Sequence, residues 1–118
     1  HGIGDRVLER VARIFTERVS GADLVARYGG EEFLFCFIGI DTTDLVRRCE
    51  ELRLALERED WTTLSPGLSV TMSIGLATCN GESQASALLD RADTCLYEAK
   101  RRGRNRLVTE QGLHAAAF

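Results

Sequence analysis

The chain has 118 residues, the size of one domain, and a core of useful size can form at that length. Hydrophobic residues make up 44% of it and charged residues 28%, an ordinary balance for a soluble globular protein. A net charge of −3 excludes the overall basic character of a nucleic-acid binder, yet it allows a small phosphate ligand, which needs only a local cationic cluster.

In chain order, Ile3, Val7, Leu8, Val11, Ile14, Phe15 and Val19 recur at steps of three and four. They make one apolar stripe, so the first segment is predicted to be a helix, ended by Ser20-Gly21. Two strand-like runs follow, Asp23 to Tyr28 and Glu31 to Ile38, around Gly29-Gly30. Glycine reaches the positive φ of tight turns, so the runs read as a hairpin. Its second run is apolar on both faces, as in a central strand covered on both sides.

Asp41-Thr42-Thr43-Asp44 is a helix-start signal. Leu45, Cys49, Leu52 and Leu56 then predict a helix to about Glu59, with its charges elsewhere on the surface. Ser65-Pro66-Gly67 is a turn. Leu68 to Cys79 alternates, with Val70, Met72, Ile74 and Leu76 on one face and Thr71, Ser73, Gly75 and Ala77 on the other. The small second face leaves room for a helix or ligand to come close. After Asn80-Gly81 a third helix carries Leu88, Leu89, Ala92, Cys95, Leu96 and Ala99 on its buried side, with Gly103 as its C-terminal cap. Arg106-Leu107-Val108 reads as a last strand, and Gly112 to Phe118 as a tail outside the packed unit of residues 1–111.

The order α-β-β-α-β-α-β implies an α+β fold, with a mixed central β-sheet flanked by helices. The four cysteines, Cys36, Cys49, Cys79 and Cys95, form no CxxC pair and have no nearby histidine, so they are expected to be reduced core thiols. No run is apolar and long enough to span a membrane, and no signal peptide opens the chain, so a cytoplasmic location is expected. A membrane-anchored parent stays open.

The chemistry concentrates in Arg27-Tyr28-Gly29-Gly30-Glu31-Glu32-Phe33. Adjacent carboxylates at the entrance to an apolar strand are costly to bury unless something neutralises them. Magnesium, a hard cation that takes carboxylate and phosphate oxygens, would do so. The bare glycines let backbone N–H groups approach a phosphate. Gly-Gly alone would be an ordinary hairpin turn; leading into this strand through two glutamates, it points to phosphoryl transfer.

Gly29-Gly30-Glu31-Glu32-Phe33 resembles the signature of GGDEF-domain diguanylate cyclases, in the GGEEF form. His1-Gly2-Ile3-Gly4-Asp5 is similar to the end of the family's ND-x-x-GH-x-x-GD segment, Ser73-Ile74-Gly75 to its SIG strand, and Tyr97 to Asn105 to its Y-x-AK-x-x-GRN. The resemblance implies the palm-like, ferredoxin-like fold of nucleotidyl cyclases. It implies condensation of two GTP into cyclic di-GMP and pyrophosphate by a homodimer, with Mg2+ or Mn2+ as cofactor. An upstream sensory or receiver domain is implied in the parent.

By the same resemblance Glu31 matches the metal-binding carboxylate. Glu32 matches the catalytic general base or a further metal contact, and Gly30 a glycine whose backbone meets the nucleotide phosphates. Asp5 matches the carboxylate that reads the guanine edge, His1 a position counted with the substrate site, and Lys100 and Arg104 the cations on the terminal phosphates. Taken alone, Lys100 and Arg104 are also the cations a helix C-terminus favours, on one face by their spacing of four. Relatives carry an upstream F-x-D-x-D-x-F-K-x-x-ND strand with a further metal aspartate. The chain starting at His1 is therefore expected to lack the N-terminal strand-helix portion and to be inactive alone. Ser20 stands where many relatives carry the arginine of an inhibitory R-x-x-D ending here in Asp23, so weak product inhibition is expected. A regulatory module that binds GTP without turnover is the alternative, and a protein-interaction domain a third option.

Overall fold

The computed structural model describes residues 2–18, 24–27, 33–36, 40–78, 85–110 and 112–113, which contain three α-helices, one 3-10 turn and five strands. Helix α1 (Ile3–Arg18) buries Val11, Ile14 and Phe15, the centre of its predicted stripe. Strands β1 (Leu24–Arg27) and β2 (Phe33–Cys36) pair antiparallel, Leu24 opposite Cys36 and Arg27 opposite Phe33, as the hairpin pattern requires. Helix α2 (Thr42–Arg58) is capped by Asp41, whose carboxylate accepts from the Asp44 N–H at 3.0 Å.

A 3-10 turn at Trp61–Thr63 follows, capped by Asp60. Trp61 is buried, and its indole N–H donates to the Leu56 carbonyl at 2.8 Å. It joins Val11, Ile14, Phe15, Leu52 and Leu56 in one core, against which Leu68, Val70 and Met72 pack. The Arg10 guanidinium stacks over the Trp61 ring at 5.6 Å and donates to the Asp60 carbonyl at 3.0 Å, fastening α1 to the end of α2.

Strand β3 (Ile74–Leu76) runs parallel to β4 (Leu107–Thr109), and β5 (Gly112–Leu113) returns antiparallel along β4. The β3–β4 pair lies between two helices. Val46 of α2 packs with Leu76 and Leu107 on one face; Cys95 and Ala99 of α3 (Ala85–Arg101) pack with Val108 on the other. Because both faces are covered, all of β4 is buried. Gly75 lies against the α3 backbone, where an added Cβ would meet Leu96 N and Ala92 O. The small face of the strand thus admits a helix.

Several expectations are corrected. The long alternating strand contracts to Ile74–Leu76, because β4 starts at Leu107 and its ladder begins only where the Ile74 N–H donates to the Arg106 carbonyl at 2.9 Å. Upstream, the same alternation serves the helix core instead. Among the described residues the strands form two sheets, β1–β2 and the mixed β3–β4–β5, consistent with the expected α+β fold. Gly112 and Leu113, expected in the tail, extend the second sheet; Arg91 of α3 holds Glu110 at 2.7 Å where the chain turns back. On α2, Glu50 and Arg53 are buried rather than solvated, since each neutralises the other. Cys49 and Cys95 are free thiols on the buried sides of α2 and α3; Cys36 side-chain placement and Cys79 lie outside the described residues.

Candidate functional site

The hairpin register brackets the acidic motif. Arg27 pairs with Phe33, so residues 28–32 link β1 to β2. Gly30, Glu31 and Glu32 of that link, and His1, lie outside the described residues. Asp5 is exposed in the first turn of α1, where the helix dipole favours an acid.

Lys100 and Arg104 are brought to one turn, at the C-terminus of α3. Both are exposed. The Arg104 N–H donates to the Ala99 carbonyl at 3.0 Å and the Gly103 N–H to the Lys100 carbonyl at 3.3 Å, the paired bonds of a Schellman cap. Gly103 takes φ +119°, Arg104 +66° and Asn105 +47°. The spacing of four between Lys100 and Arg104 is therefore not helical: the helix ends at Arg101, and Arg104 sits on a left-handed turn beyond it. Lys100 remains a cation of the last helical turn, and Arg104 does not share its helical face.

Charges around this turn are sorted. Glu98 takes Arg101 at 2.5 Å and Arg102 at 2.7 Å, and these two cations hold its carboxyl down to about 2. Among the described residues the Arg104 guanidinium has no carboxylate partner. The turn therefore presents positive charge to solvent.

Sequence reasoning missed what holds this turn. Arg53 donates through Nε to Glu50 Oε1 at 2.9 Å, and its Nη2 is also hydrogen-bonded to Glu50. Its Nη1 donates to the Asn105 side-chain Oδ1 at 2.8 Å and main-chain carbonyl at 3.2 Å. The Asn105 N–H donates to Ser73 Oγ at 3.2 Å, and its Nδ2 to Glu57. The available signal was opposite charge at a spacing of three beside the Cys49–Leu52–Leu56 stripe, which allows a self-neutralised pair to be buried.

Residues 1–106 match the family model described as "Diguanylate cyclase, GGDEF domain". The chain belongs to the GGDEF-domain family. Diguanylate cyclase A of Treponema denticola is 37% identical over 109 residues, covering 92% of this chain and 29% of that protein. The GGDEF domain of DgcB from Caulobacter crescentus, solved in complex with c-di-GMP, superposes with a TM-score of 0.81 at 31% identity, covering 92% of this chain and 66% of that one. The active GGEEF domain of a Vibrio cholerae diguanylate cyclase gives 0.84 at 26% identity, over 92% of this chain and 69% of that one. The chain thus spans under a third of the T. denticola relative's length. Within this GGDEF domain, the hairpin, the start of α1 and the left-handed turn after α3 all fall inside the matched residues. Among the described residues no helix is long and apolar enough to cross a membrane.

Proposed function

We propose that the protein containing this GGDEF domain is a diguanylate cyclase, condensing two GTP into cyclic di-GMP and two pyrophosphates. The family match over residues 1–106, which includes the GGEEF link between β1 and β2, carries the reading. Asp5 accepts from the guanine N1–H and N2 amine. Lys100 and Arg104 hold the terminal phosphates, and the geometry of their turn supports this, since the Arg104 charge is left available. The Gly30 backbone meets the phosphates, with His1 beside the substrate.

Adjacent carboxylates are a hard-oxygen donor set suited to a divalent cation, so Glu31 and Glu32 would hold Mg2+ or Mn2+. Such an ion, when bound, offsets the phosphate charge and lowers the pKa of the ribose hydroxyl. Glu32 takes the proton from the 3′-hydroxyl as its oxygen attacks the α-phosphorus of the other GTP. The new O3′–P bond replaces the bond to the leaving pyrophosphate. Each domain holds one GTP, and twofold pairing of domains makes the symmetric product. We place this chemistry in the cytoplasm, under the control of an upstream sensory or receiver domain. Product feedback through the segment before β1 is weak, because Ser20 supplies no cation; nanomolar cyclic di-GMP binding that depends on Asp23 would contradict this.

The test incubates the full-length protein with GTP and Mg2+ and follows cyclic di-GMP by mass spectrometry, with Glu31→Ala as control. Turnover lost in the variant is the expected result. GTP binding without turnover would make the domain a regulatory module, and neither binding nor turnover would overturn the reading.

A further inference from the structure

We propose that Arg53 and Asn105 are positioning residues for the cationic end of the nucleotide site. Arg53, buried on α2, fixes Asn105, and Asn105 fixes the left-handed turn that carries Arg104. The inference rests on the reading of Lys100 and Arg104 as phosphate-holding cations.

Two consecutive non-glycine residues at positive φ, Arg104 at +66° and Asn105 at +47°, persist only where their surroundings over-determine them. Here Asn105 supplies that constraint. Its N–H goes to Ser73, its main-chain carbonyl and Oδ1 to Arg53, and its Nδ2 to Glu57. Every hydrogen-bonding group of the residue is thereby engaged on α2 or on Ser73 just before β3. Arg53 is itself locked, because Nε and Nη2 both bond Glu50 Oε1. Glu50 Oε2 is buried with no hydrogen-bond partner among the described residues. Arg53 therefore compensates the Glu50 charge and cannot rotate away without leaving it unpaired. The α3 Schellman cap alone would let the chain leave the helix in several directions. Anchoring Asn105 to α2 selects one, and with it the place from which Arg104 reaches.

The test measures affinity of the full-length protein for 3′-deoxy-GTP with Mg2+, a probe that lacks the attacking hydroxyl. Variants are Arg104→Ala, Asn105→Gly and the double substitution. Glycine keeps the positive φ accessible while deleting the side-chain links. Each single variant is expected to weaken binding about tenfold, the scale of one lost charge-assisted hydrogen bond. The double variant is expected to be no weaker than Arg104→Ala, since Asn105 acts through Arg104. A purely structural role would lower thermal stability and give losses that multiply. Arg53→Lys keeps a charge beside Glu50 but not the fork to Asn105. It is the second variant should Asn105→Gly fold poorly, and it is expected to weaken binding in the same way. Wild-type affinity in Asn105→Gly or Arg53→Lys, where Arg104→Ala weakens binding, overturns the positioning role and leaves the nucleotide reading standing. No effect of Arg104→Ala removes both.

Discussion

Burial, with the Glu50 carboxylate beside it, pushes the Cys49 thiol up to about 12. The folded state thus holds the proton more tightly than the unfolded chain, whose thiol titrates at about 8.5. Stability from this group is fully present below the unfolded value and is lost as pH climbs towards about 12. Iodoacetamide labelling mapped by mass spectrometry should find Cys49 slow at pH 8 in the native protein and fast in urea; equal rates would show that it is not shielded. A few residues away the same helix buries charge. Removing Arg53 alone, as in Arg53→Met, strands Glu50 and should cost about 3–5 kcal/mol in urea denaturation. The pair Glu50→Gln with Arg53→Met should cost clearly less. At this scale the sequence was legible where apolar residues made a stripe and misleading where opposite charges cancelled. Glu50 and Arg53 read as solvated because periodicity counts each residue singly, while burial depends on the pair.

Elements were the most legible level, and the reason is visible in each. α1 and α2 declared themselves by steps of three and four, α2 also by its Asp41 cap, and α3 by the Gly103 end signal. The Trp61 turn was not foreseen, because a short 3-10 segment has no period to detect. β3 was overextended because alternation reports which side chains are covered, not whether the backbone has a ladder partner. Its small face did foretell a close neighbour. Gly75 lies on the α3 backbone at Ala92 and Leu96, and backbone cannot rotate out of the way as a side chain can. Gly75→Ala is therefore expected to destabilise by about 1–3 kcal/mol through overpacking. Thermal melting would check this, and an unchanged midpoint would mean that α3 shifts freely on the sheet.

For the whole molecule, the acidic hairpin link pointed to phosphoryl transfer by its own residues, whereas Asp5 and the Lys100–Arg104 pair were joined to it only through family resemblance, since each alone is an ordinary first-turn acid or C-terminal cation. What the structure adds is that the cations sit on a turn built by α2, α3 and β3 together. On the proposed reaction, a domain holding a single GTP would supply half of a chemistry whose product has two equivalent bonds. Activity should then belong to pairs of domains. If full-length active protein at fixed concentration is mixed with an equal amount of its Glu31→Ala variant, random twofold pairing leaves roughly half as many fully active pairs. Cyclic di-GMP output should fall by about the same factor, and further with excess variant. On the proposed mechanism Glu31→Ala takes away a metal ligand by truncating one side chain, so the variant should still compete as a partner. Output that stays constant as variant is added would show that one domain completes both bonds itself, and the twofold mechanism would have to be abandoned.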